Sequence, residues 1–77
     1  MTPASTAIDG AIQQIRTYVA RRPHSADTLE GIAQWWLGGQ FPREAIEAAL
    51  EQLRAAGELE RIEIGGRQLW RRQPMPG

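Results

Sequence analysis

Apolar residues recur along the chain in three helical stripes and then in a strand-like alternation. Ile8, Ile12, Ile15 and Val19 follow one another at spacings of four, three and four, which predicts one face of an amphipathic helix. Thr6 to Asp9 reads as a capping box at its start, a hydroxyl followed three residues on by an acid. Gly10 weakens the first turn slightly. Arg21-Arg22-Pro23 predicts the end, because a residue before proline avoids helical angles. After the polar connector His24-Ser25-Ala26, Asp27 to Glu30 gives a second cap-like signature. Leu29, Ile32, Ala33 and Trp36 then form a second stripe that stops at Gly38-Gly39. Pro42 suits the first turn of a third helix over 42–56, lined by Ile46, Ala49, Leu50 and Leu53 and stopped at Gly57. Phe41, just before that proline, is placed to pack back on Ala45 or Ile46.

Beyond Gly57 the period shortens to two. Leu59 to Ile64 and Arg67 to Arg71 read as two strands around a Gly65-Gly66 turn. A two-residue loop opposes Ile64 to Arg67, Ile62 to Leu69 and Arg61 to Trp70. On that register Ile62 and Leu69 share the buried face, and Arg61 lies over the Trp70 ring on the other. Residues 1–5 and 73–77 read as flexible tails around one domain spanning 6–72.

Three helices followed by a hairpin resemble the winged helix-turn-helix fold, a mainly α architecture with a C-terminal β-hairpin. The resemblance runs from Ile8 to Arg72. It rests on Leu29, Ile32 and Ala33 in the second helix, Ile46, Leu50 and Leu53 in the third, Gly57 and Leu59 at the wing entry, and Leu69-Trp70 on the return strand. It implies either a DNA or a protein partner, since winged helices serve both. For DNA, the third helix would enter the major groove with the wing against the backbone.

Charge decides between these uses. The chain has 77 residues, nine basic and nine acidic, so its formal net charge is zero and the bulk attraction of most nucleic-acid binders is missing. All nine basic residues are Arg, which reads as the codon bias of a GC-rich genome or, alternatively, as a choice of bidentate or stacked contacts. The third helix presents Glu44, Glu47 and Glu51 on one face, where a groove reader needs donors; three carboxylates there would meet phosphate with like charge. The bland account of that face is solvation with ordinary helix ion pairs. A DNA reading would rest on Arg43 or Gln52 near bases and on Arg67, Arg71 and Arg72 against phosphate. Arginines scattered over a neutral domain also serve as edge protection.

Tryptophan carries the other reading. Adjacent helical residues point about 100° apart, so Trp35 and Trp36 do not share one narrow stripe. Trp36 continues the core series, while Trp35 and Leu37 flank it as candidate anchors for a protein contact, alongside Glu44, Glu47 and Glu51; the alternative is that Trp35 packs beneath the first helix, the wing or the long turn. The expectation is a protein-interaction or regulatory adaptor module that meets a basic partner or its own copy, with a DNA-binding regulator as the alternative.

Catalytic and cofactor chemistry find no footing. Without cysteine there are no disulfides or thiolate metal sites, and the lone His24 lacks a ligand set. GGQFPRE lacks the Gly-Lys-Ser/Thr ending of a phosphate loop. The expectation is therefore no enzyme, no cofactor, no metal and no small-molecule substrate. No apolar run approaches the ~18 residues of a membrane span, and the expectation is a cytoplasmic chain.

Overall fold

The computed structural model describes residues 5–73 as three helical segments and a three-stranded antiparallel sheet. The order is α1 (Ser5–Arg21), β1 (Ala26–Asp27), α2 (Leu29–Gly31) continuing directly as a π-helical turn (Ile32–Trp36), α3 (Arg43–Ala55), β2 (Leu59–Ile64) and β3 (Arg67–Arg72). The expected tails lie outside that range except for two positions. Ser5 is in α1, and Gln73 donates its N–H to the Glu58 carbonyl at 3.0 Å.

The helices form where the apolar stripes placed them. Ala11, Ile12 and Ile15 of α1 pack with Ala49, Leu50 and Leu53 of α3 in one core that Ile32, Trp36, Leu59 and Trp70 complete. Thr6 sits inside α1 and does not cap it. At the second helix the cap is Thr28, whose Oγ1 accepts from the Gly31 N–H at 3.2 Å, while Asp27 Oδ1 accepts from the Thr28 N–H at 2.8 Å. Gly31 leaves room for the Asp27 side chain: a Cβ on it would stand 1.9 Å from Asp27 Oδ1, so the carboxylate would have to move. Phe41 turns its ring toward α1, where a Cβ on Gly10 would meet it at 3.1 Å. Gly10 thus gives up some helix propensity and makes room for that ring.

The helix α3 ends in a Schellman motif. Gly57 adopts φ +77, its N–H reaches the Arg54 carbonyl at 3.0 Å, and the Glu58 N–H reaches that of Leu53 at 2.9 Å. This reversal delivers Leu59 straight into the core. A bidentate pair, Arg16 Nε and Nη2 on Glu58 Oε1 and Oε2 at 2.8 and 2.6 Å, ties α1 to the same corner.

The hairpin register is the expected one, with Gly65 and Gly66 at φ +58 and +78 forming the turn. Its faces are reversed, however. Leu59 and Trp70 are buried at 1% and 6% exposure, on the side facing the helices, whereas Ile62 and Leu69 share the opposite, outer face and are half-buried. The core takes Trp70 because its ring covers more apolar surface than Leu69. Arg61 does lie over Trp70, its Cζ 5.8 Å from the ring centroid. The stretch read as a polar connector supplies a third strand: Ala26 pairs with Arg71 and Asp27 with Trp70. Two residues are too few to show a period, so this strand exists only through its tertiary partner.

Candidate functional site

The second helix sorts its aromatic residues by a change of pitch. From Ile32 the backbone bonds lengthen to five residues, with the Leu37 N–H on the Ile32 carbonyl at 3.0 Å. One extra residue in the turn brings Leu37 back beneath Ile32, so both are buried. Leu37, expected as an exposed anchor, is therefore a core residue at 1% exposure. Trp36 is buried as well and stacks on Tyr18, centroids 4.7 Å apart and planes 12° from parallel. Arg22 lies over the Tyr18 ring, its Cζ 5.6 Å from the centroid. Trp35 alone of the three tryptophans is left outside, at 72% exposure.

Two adjoining grooves make up the surface around it. The first, about 620 Å³, holds Trp35 with Ala33, Gly39 and Phe41 and ends at Glu30 and Arg43. The second, about 590 Å³, begins at that same Glu30 and Arg43. It continues along Glu47 and Glu51 of α3 to Arg61, Arg67 and Gln68 of the hairpin. Arg43 is the hinge between them, with Nε on Glu47 Oε1 at 3.0 Å and Nη1 3.6 Å from Glu30 Oε1. Glu51 binds Arg54 Nη2 at 2.7 Å. That hydrogen bond holds the Glu51 carboxylate below its ordinary range, and the charge of Arg61 across the groove adds to the effect.

The acidic side of this surface is thus internally paired. Its three carboxylates are paired within the molecule, Glu30 and Glu47 with Arg43 and Glu51 with Arg54, whereas Arg61 and Arg67 line the groove without an ion pair among the described residues. Glu44 is exposed at the start of α3 and lines neither groove.

The five residues of the DNA reading are not gathered in one place. Arg43 and Arg67 line the second groove. Arg71 is paired with Glu60, next to it across the sheet, and Arg72 sits in a separate hollow with Arg16, Gly57 and Glu58. Gln52, exposed on α3, lines neither groove. The structure also brings in Glu30 and Phe41, which sequence alone did not single out as site residues. Their roles come from neighbours on other helices, and no local pattern marks them.

Among the described residues no group of three or more His, Asp or Glu is placed to hold a metal ion, and no helix is long and apolar enough to cross a membrane. Comparison with known proteins finds no matching family model, no similar curated protein and no similar solved structure.

Proposed function

We propose that this chain is a small protein-interaction or regulatory adaptor module of winged-helix architecture, with Trp35 as its anchor. One observation carries the reading: a tryptophan left 72% exposed beside a groove, while its neighbours Trp36 and Leu37 fill the core. An exposed Trp of this kind buries little surface in the fold and has an obvious use at an interface, where large aromatic residues dominate binding energy. The matching partner brings an apolar side chain into the Trp35 groove and a basic group to Glu44, which has no ion-pair partner among the described residues.

The competing reading, a DNA-binding regulator, draws on the helix-turn-helix layout and on Arg67 and Arg72, neither of which has an ion-pair partner among the described residues. Against it stand the ion pairs that occupy Arg43 and Arg71 and the acidic face of α3. Titration with random-sequence duplex DNA separates the two. A phosphate-binding surface gives binding at ~50 mM salt that falls steeply as salt rises. The adaptor reading predicts no binding at that salt; steeply salt-dependent binding would replace it with the DNA reading.

A further inference from the structure

The strand β2 forms one edge of the sheet, because the strand order is β1-β3-β2. In an antiparallel ladder alternate residues bond to the partner strand and the rest face away. The two-residue turn makes Ile64 and Arg67 a bonded pair, and the Gln73 N–H on the Glu58 carbonyl fits the same alternation. Glu58, Glu60, Ile62 and Ile64 therefore bond inward to the return strand. Leu59, Arg61 and Glu63 turn their N–H and C=O groups outward. Such an edge invites another strand unless charged side chains, proline or a bulge blunt it. The β2 strand has no proline and no bulge, and its charges, Glu60, Arg61 and Glu63, are of mixed sign and so able to pair with a second strand as well as repel one.

We propose that β2 pairs with β2 of a second copy of this chain, antiparallel, about a two-fold axis at Ile62. Charge fixes that register. Centring on Glu60, Arg61 or Glu63 would oppose that residue to its own copy, like charge to like. Centring on Ile62 opposes Arg61 to Glu63 of the second copy and Glu63 to its Arg61, two attractive pairs on one face. On the other face Ile62 meets Ile62 at the closer, non-bonded spacing of the ladder. Ile64, 58% exposed in the single chain, then lies beside Glu60 of the second copy. That carboxylate is already neutralised by Arg71. Leu59, where the strand enters the helical body, is opposed by Gly65 of the second copy, whose turn brings no side chain to that crowded end. The two three-stranded sheets become one of six strands, and Trp35 takes no part.

Sedimentation equilibrium of the full chain, from micromolar to millimolar concentration, measures the association directly. The wild type is expected to pass from monomer to dimer. Glu63→Arg turns both cross-strand pairs repulsive and weakens the dimer by at least about tenfold. Adding Arg61→Glu to that variant restores it, because the swapped charges again oppose one another. Trp35→Ala dimerises as the wild type does. Hydrogen exchange supplies a readout free of any substitution: the Leu59, Arg61 and Glu63 amides slow as concentration rises. A monomer at every concentration overturns the proposal. So does a dimer indifferent to Glu63→Arg, a charge swap that fails to restore association, or edge amides that exchange equally fast throughout.

Discussion

Trp35 and Trp36 are chemically identical neighbours with opposite fates, and their substitution separates packing from function. Trp36→Ala removes a buried ring that stacks on Tyr18, and is expected to cost about 3–5 kcal/mol in denaturant unfolding. Trp35→Ala changes an exposed side chain and is expected to stay within about 0.5 kcal/mol of the wild type. Gly31 makes the same point in reverse. Alanine favours helix by about 1 kcal/mol over glycine, yet Gly31→Ala is expected to destabilise by about 1–3 kcal/mol, since its Cβ overlaps the Asp27 carboxylate. The double variant with Asp27→Ala removes the overlap and recovers part of that loss in the same unfolding assay. The burial of Trp36 and the outward position of Trp35 were legible from the second stripe, but the burial of Leu37 depends on the π turn, and the role of Gly31 depends on a side chain four residues earlier.

At the scale of elements, the stripes of α1 and α3 and the Gly57 stop were readable because repeated burial and helix ending are local in sequence. The hairpin register was readable for the same reason, since Gly65-Gly66 fixes it by turn geometry alone. Which face of the hairpin meets the helices was not, because Ile62 with Leu69 and Leu59 with Trp70 are both apolar sets. The packing of α1 and α3 chose between them. The junction at Glu58 has a measurable signature. The Arg16 guanidinium hydrogen-bonds the Glu58 carboxylate and holds it below its ordinary range. A carboxylate whose folded pKa is depressed adds stability above its unfolded pKa and loses it as pH falls through the folded one. Stability is therefore expected to decline on acidification below the usual carboxylate range. Arg16→Met makes that decline shallower between the folded and unfolded values, as read by urea midpoints across the acid range. The pair is solvent-exposed, so the effect is small.

For the whole molecule, the layout resembling a winged helix does not decide its use; the proposed reading rests instead on the distribution of charge over that layout. A groove reader would present unpaired donors along α3 as well as the wing. On α3 Arg43, Glu47, Glu51 and Arg54 are instead paired, Arg43 also with Glu30, while Arg67 and Arg72 of the wing have no ion pair among the described residues; the most exposed large apolar residue, Trp35, lies at the far end. The three glutamates were visible in the sequence, as was the conflict between them and a DNA-binding role. Their closure by Arg43 and Arg54, and the scattering of Arg71 and Arg72 onto other surfaces, required the fold. The most direct test is a paired capture experiment with immobilised wild-type chain and Trp35→Ala, both verified as folded by circular dichroism. Extract from the source cells is applied, and retained proteins are quantified by mass spectrometry. The account predicts a defined protein retained by the wild type and depleted from the Trp35→Ala sample by at least about tenfold, the loss expected when an interface hot spot is truncated. Equal retention by the two chains, or no protein retained by the wild type, would contradict it.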